Sequence, residues 1–352
     1  MKVVINGKFL EDKMQGIVRH ATQIIVNMDE HIKKDDEIIL LCPPNVKPQF
    51  ELTNIKVVNY GKRHGIKWEL FDLKRFLKNN RDYYCLNLCN VSPLLKSRNI
   101  TTIHDVIYRS DYKYYTSVRN KLSALWHRYQ YRYNAKKAVL LLTDSEYSKE
   151  QIEKYYPKSK DKINVVYCGC EHVYKWKEEP NWEKQYPKLT KGQFFFSLAS
   201  ISKNKNGKWI LEVAKRNPQY TFAIAGHFYN DKNMIADSVP SNVYLLGYVS
   251  DEVACSLIKN CKAFLFPSIN EGFGLPPLEA LCLGATVISS NYASMPEILG
   301  NCVHYVDPYN YDVNLDKLLE EKTDSYEVLL EKFNWSKSAK QIYDLLQEIN
   351  KN

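Results

Sequence analysis

The residues with the clearest chemical potential lie in one run, Phe264-Leu265-Phe266-Pro267-Ser268-Ile269-Asn270-Glu271-Gly272-Phe273-Gly274-Leu275-Pro276-Pro277-Leu278-Glu279-Ala280. It reads as an apolar strand, a glycine turn and a helix start. Glycine lets the backbone take conformations closed to other residues and approach a ligand closely. Proline suits a first helical turn, where its missing N–H is no loss. The free amides of that turn, added to the helix dipole, favour an anion such as a pyrophosphate. Glu271 stands on the loop, and Glu279 stands about one turn into the helix, where a carboxylate can accept both hydroxyls of a ribose. An acidic pair that merely decorates a tight turn and caps a helix uses the same residues, and strand, turn and helix alone do not separate the two.

A second candidate is His104, at the end of the apolar strand Ile100–Ile103, where doubly wound folds bring ligands. Its plain alternative is a core or capping histidine. No Gly-x-x-x-x-Gly-Lys-Ser/Thr loop and no Gly-x-Gly-x-x-Gly opens the chain, which argues against an ordinary ATPase or dehydrogenase. No Asp-x-Asp stands in a context that suggests a metal-held diphosphate, so chemistry without a metal is expected. The nine cysteines are odd in number and scattered, and Cys168-Gly169-Cys170 lacks a second pair at metal-site spacing. Neither a disulfide framework nor a zinc site is expected, Cys282 reads as a small hydrophobe, and a reducing cytoplasm fits.

These residues must be carried by a large scaffold. At 352 residues the chain exceeds the size at which one hydrophobic core usually splits. Short apolar runs alternate with helical patterns: Val3–Asn6, a helix over Ile17–Met28, Ile38–Leu41, Ile55–Val58, Tyr83–Leu88, Ile100–Ile103, a long helix near Val118–Lys136, Ala138–Thr143 and Ile163–Tyr167. The alternation breaks in Trp-, Pro-, Glu- and Lys-rich sequence and restarts at Phe194–Leu198, continuing through Thr221–Ala225, Val243–Leu246, Ala263–Phe266 and Thr286–Ser289. Such order predicts parallel βαβ units in two doubly wound domains. The boundaries read as 1–170, a linker at 171–192, a second domain at 193–330, and a C-terminal helix at 331–352 long enough to reach back across the junction.

The Glu271-to-Glu279 run resembles the signature of retaining GT-B glycosyltransferases of family four, typified by mannosyltransferases of bacterial surface-polysaccharide assembly. The resemblance extends over nearly the whole chain. Gln15-Gly16-Ile17-Val18-Arg19 is similar to the family's glycine-rich first loop, with amides near Gly16 on the donor side. Ile103-His104-Asp105 is similar to its His-Asp pair, which implies that His104 touches the donor sugar. Tyr147-Ser148 near Asp144-Ser145 matches a loop at the domain junction, Gly247-Tyr248-Val249-Ser250-Asp251-Glu252 a segment whose backbone reads the base, and Pro296-Glu297 completes the set. Lys205-Asn206 resembles the Lys-Asn of the pyrophosphate loop, where an ammonium would offset charge on the leaving diphosphate; a surface lysine in a polar turn is the bland reading. The pattern's glycine near Ala199 and arginine near Asn204 are absent, which leaves Lys203, or the helix amides with Lys205, to meet the diphosphate.

The resemblance implies an α/β fold of GT-B type, two Rossmann-like doubly wound domains facing an interdomain cleft. It implies a metal-independent hexosyltransferase that retains anomeric configuration, with His104, Glu271 and Lys205 catalytic. Donor-binding positions would be Gly16, Ser200, Asn206, Gly226, Tyr248, Val249, Gly272, Phe273, Gly274, Leu275 and Glu279. No cofactor is expected, since the nucleotide-diphosphate sugar is a substrate. GDP-mannose is the first donor expected, with a UDP-hexose, UDP-N-acetylhexosamine or dTDP-rhamnose as alternatives, and a lipid-linked or soluble oligosaccharide is the acceptor. A nucleotide-sugar epimerase or a non-catalytic sugar-nucleotide-binding subunit would share this architecture.

The net charge of +9 is concentrated: Lys96 to Lys137 holds ten Lys/Arg against Asp105 and Asp111, with eight aromatics. Such a segment suits an anionic membrane surface, or forms a solvated helix whose aromatics face the core. Nucleic acid is not expected, because no recognised binding motif accompanies the charge. No run approaches the length of a membrane-spanning helix. The expected location is the cytoplasm, at the inner face of the cell membrane.

Overall fold

The computed structural model describes residues 1–96, 98–111, 117–198, 203–226 and 239–351. They form two compact units, Met1–Gly169 with Phe333–Asn352, and Cys170–Lys332. Each unit has one wholly parallel sheet, as the runs of consecutive apolar residues predict.

The first unit's sheet has seven strands: β1 (Lys2–Asn6), β2 (Glu37–Cys42), β3 (Lys56–Asn59), β4 (Tyr84–Asn87), β5 (Asn99–Thr102), β6 (Leu140–Thr143) and β7 (Ile163–Val165). Their order is β3-β2-β1-β4-β5-β6-β7, so the winding reverses between β1 and β4. The second unit's sheet holds β8 (Phe194–Leu198), β9 (Thr221–Ala225), β10 (Val243–Gly247), β11 (Ala263–Phe266), β12 (Val287–Ser290) and β13 (His304–Val306). Its order is β10-β9-β8-β11-β12-β13, reversing between β8 and β11. Ligands in such sheets bind beyond the carboxyl ends of the strands at the reversal. The expected α/β fold, two Rossmann-like doubly wound sheets, is the fold observed; β13 is the strand missed.

Helices cover the sheets. In the first unit α1 (Gly16–Asp29) follows β1, while α2 (Val118–Lys137) and α3 (Glu146–Tyr155) flank β6. Tyr131 of α2 packs with Ile103, Leu141 and Ile152 in one buried cluster. In the second unit α4 (Gly207–Arg216) places Trp209, Ile210 and Val213 against Phe195, Phe222 and Ile224. The helix α5 (Asp251–Asn260) is capped by Ser250, whose Oγ accepts from the Val253 amide, as a serine ahead of an acidic first turn predicts.

Two boundaries differ from expectation. The segment 171–192 folds with the second unit. Trp182 is buried there beside Phe194, and the Glu179 amide donates to Ser256 Oγ at 2.8 Å. A large indole that finds a core to fill outweighs the lack of local periodicity. The C-terminal helix expected at 331–352 begins later, because Asn334 starts it as α8 (Trp335–Lys351) by accepting from the Lys337 amide. That helix belongs to the first unit and packs on α1.

Candidate active site

In the second unit the strand–turn–helix run places β11, a loop, and α6 (Leu275–Cys282) in sequence. Gly274 caps the helix in the left-handed region, φ +92°, a conformation that favours glycine. A Cβ there would collide with the side chain of Met295. Gly272 does not share this geometry: among the described residues the positive-φ glycines include Gly274 and not Gly272. Pro276 and Pro277 occupy the first turn, where α7 (Met295–Leu299), which carries Pro296 and Glu297, also packs.

Lys205 and Glu271 meet at the reversal point, since one follows β8 and the other β11. Lys205 Nζ lies 2.6 Å from Glu271 Oε1 and 5.4 Å from the Phe266 ring centroid. Hydroxyls hold the loop around them. Ser268 Oγ is 2.5 Å from Glu271 Oε1 and 2.8 Å from the Asn204 carbonyl oxygen, so its single proton serves two acceptors. Ser294 Oγ lies within reach of the Glu271 and Phe273 carbonyls. Asn206, itself left-handed at φ +55°, donates from Nδ2 to the carbonyls of Pro267 and Pro308. Through these bonds its side chain ties down the loop that carries Lys205.

Glu279 lies on the buried face of α6, with Oε1 2.9 Å from His172 Nε2. His172 was not anticipated, because it stands 107 residues away in the chain. Nearby, Cys170 and Cys282 are joined as a disulfide, their Cα atoms 6.7 Å apart. This corrects the reading of Cys282 as a small hydrophobe and of the chain as free of disulfides; a partner 112 residues distant leaves no spacing signal. Disulfide and hydrogen bond together staple the short helix Glu171–Lys175 to α6.

The remaining expected donor residues of this unit follow other strands. Gly226 ends β9 with its amide donating to the Gly247 carbonyl at 2.7 Å. Tyr248 is 68% exposed beyond β10, with Val249 half-buried beside it. Leu275 is the first residue of α6, and Gly272 and Phe273 are buried. Ser200 lies outside the described residues.

In the first unit Gly16 is exposed at the start of α1, which no side chain caps. His104 is buried beyond β5 and fully engaged: Nδ1 lies 2.6 Å from Asp144 Oδ2, Nε2 2.9 Å from the Leu88 carbonyl. Burial pushes this imidazole down, but the Asp144 charge and hydrogen bond, with the Leu88 carbonyl, outweigh it and hold it above the ordinary histidine value. A protonated ring donates to both acceptors. His104 is thus the cationic half of an enclosed pair, with both ring nitrogens engaged within the first unit. Ser148, from the loop singled out by sequence, donates to the His104 carbonyl at 3.0 Å.

His20, one turn after Gly16 on α1, stacks edge-on against His104 at 4.7 Å. Burial pushes it down to about 4, against the opposing pull of Asp144, so it is neutral near pH 7. His20, Asp144 and Cys168 have ligand-type atoms within 4.8 Å of one another and form the one such buried group among the described residues. Asp144 already balances His104, so a cation there would compete with the imidazolium.

Comparison with known proteins places this geometry. Residues 178–345 match the family model described as glycosyl transferases group 1. The chain is 24% identical over 270 residues to O-antigen chain mannosyltransferase B of Escherichia coli, covering 73% of this chain and 68% of that protein. It is 24% identical over 307 residues to the O-antigen biosynthesis glycosyltransferase WclY of Escherichia coli, covering 85% and 84%. Sucrose-phosphate synthase from Thermosynechococcus elongatus has a similar fold, with a TM-score of 0.72 at 13% identity over 99% and 98% of the two chains.

Proposed function

We propose, from its group 1 glycosyl transferase domain, that this glycosyltransferase moves a mannosyl unit from GDP-mannose to a lipid-linked oligosaccharide in O-antigen assembly, retaining anomeric configuration and using no metal. The observation that carries the reading is the Lys205–Glu271 pair at the reversal of the second sheet, beside the start of α6, where the Gly274 and Leu275 amides precede the two prolines. A diphosphate arriving there offers Lys205 two or more negative oxygens in place of one carboxylate. The Gly274 and Leu275 amides and the helix dipole add to its stabilisation. Glu279, fixed by His172, then faces the ribose, and Glu271, released from the ammonium but still held by Ser268, stands toward the sugar. Stabilisation of the departing diphosphate by Lys205 and the amides is the electrostatic contribution to transfer. The leaving phosphate accepts the acceptor's proton on the same face, so no protein nucleophile is needed.

Lys205→Ala and Glu279→Ala tested for transfer from GDP-mannose check this assignment. Loss of about 10²-fold or more in kcat/KM, with folding intact, is the expected result; activity unchanged in both variants removes the site. A thermal-shift series with GDP, UDP and dTDP identifies the nucleotide, since a ligand of the folded state raises apparent stability.

A further inference from the structure

One surface of the first unit remains unused by the site above. The helix α2 carries Arg119, Lys121, Arg128, Arg132, Lys136 and Lys137 and no acidic residue. It also exposes Val118 (75%), Leu122 (62%), Leu125 (48%) and Tyr129 (52%) to solvent. Their spacing of four, three and four puts them on one stripe of the helix, away from the buried Ala124, Tyr131 and Ala135 that face the sheet. The aromatics are thus divided: Tyr131 serves the core and Tyr129 does not.

The stripe runs into a cavity of about 610 Å³ between α2 and the end of α3, with Leu125 and Tyr129 in its wall. Its lining supplies five cations, Arg109, Arg128, Arg132, Lys136 and Lys158, and among the described residues no carboxylate. Tyr156 also lines it, and that hydroxyl is buried without a hydrogen-bond partner in a residue only 8% exposed. Buried hydroxyls are rarely left so, and here the open acceptor position is among cations.

We propose that this face docks on a bilayer containing anionic phospholipid, with a headgroup phosphate in the cavity and Val118, Leu122 and Leu125 entering the acyl boundary. Cations beside an apolar stripe are the composition that lies in a membrane interface. A soluble polyanion would account for the cations but not for four large side chains held in water. The proposal rests on the reading of a lipid-linked acceptor only in giving that acceptor's surface a place; docking itself requires neither donor nor acceptor.

Flotation of the full chain with phosphatidylcholine vesicles, with and without phosphatidylglycerol, is the test. Binding is expected to the anionic vesicles at low salt and not to the neutral ones. Arg132→Ala with Lys136→Ala, both exposed, is expected to weaken it roughly 30-fold, at about a fivefold loss per charge removed near the surface. Leu122→Ser should weaken it further, and Tyr156→Phe, which removes only the hydroxyl, should weaken binding to anionic vesicles with the fold retained. Transfer to a soluble saccharide acceptor is expected to be unchanged in Arg132→Ala/Lys136→Ala, which separates a failure of docking from a failure of the transfer reading. Equal flotation with neutral vesicles, no flotation at low salt, binding of duplex RNA in preference to vesicles, or indifference to these variants overturns the proposal.

Discussion

Replacing Asp144 by asparagine should destabilise the first unit in a way that depends on pH, with the greatest loss on the acid side of neutrality. The His104 ring and the Asp144 carboxylate are buried and 2.6 Å apart. Burial opposes both charges, yet mutual attraction and their hydrogen bond hold His104 above, and Asp144 below, the ordinary values. Between those two folded pKa values the pair is ionic. Removing one member of such a buried pair leaves the other uncompensated, a loss of about 3–5 kcal/mol. The variant limits the loss by shedding the imidazole proton. That escape is hardest where the unfolded chain holds its histidines protonated, below about pH 6.5.

The sign follows from the raised histidine. Its stabilising contribution is fully present below the unfolded pKa of about 6.5 and is lost as pH rises through the higher folded value. The stability gap between wild type and Asp144→Asn should therefore be widest near pH 6 and narrow toward pH 9. Denaturant unfolding of the full chain at both pH values, resolved into the transition of the first unit, measures it. A gap that is constant or grows toward pH 9 would refute an ionic His104–Asp144 pair.

Further outcomes follow from other groups. His172→Ala should leave a Glu279 oxygen buried without its partner, cost about 1–3 kcal/mol and weaken nucleotide binding roughly tenfold, with His172→Gln recovering part of both; equal nucleotide affinity in all three proteins would remove His172 from the site. Thiol titration of unfolded protein should count seven cysteines without reductant and nine with it, and reduction should destabilise the second unit by about 2–4 kcal/mol. His20, held down to about 4 by burial, contributes stability that is whole above about pH 6.5 and falls as pH drops toward 4, by up to roughly 3 kcal/mol. His20→Gln should flatten that acid slope, and an unchanged slope in the variant would show that another group titrates.

What the sequence discloses depends on the distance over which its information acts. Gly274 and the two prolines are local punctuation, and the turn from β11 to α6 is legible from them alone. The two doubly wound sheets are legible for the same reason, because strand and helix periods alternate along the chain. The partnerships that hold the candidate residues within each unit are not local. His104 finds Asp144 40 residues away, Glu279 finds His172 at 107 and Cys282 finds Cys170 at 112. Residue types at those positions are compatible with many pairings, and only the fold selects one. The segment 171–192 was misread for the opposite reason: its charges and prolines are local signals of a linker, overridden by the burial of Trp182 in a core built elsewhere.

The same distinction gives Lys205, in the role proposed for it, a way to serve without the arginine that the resembling pattern has beside it. An ammonium on a free loop would contribute little to binding a diphosphate, because ordering it costs conformational entropy. Here hydrogen bonds within the unit already order the loop. Asn206 ties the loop to the carbonyls of Pro267 and Pro308, the Asn204 carbonyl accepts from Ile269 and lies within reach of Ser268 Oγ, and Glu271 holds the ammonium at the reversal point. The carboxylate is a place-holder for the anion to come, and Ser268 lies close enough to keep it from following the lysine. On the proposed reading, one cation preset beside the start of α6 would supply what two mobile cations would have to assemble on binding.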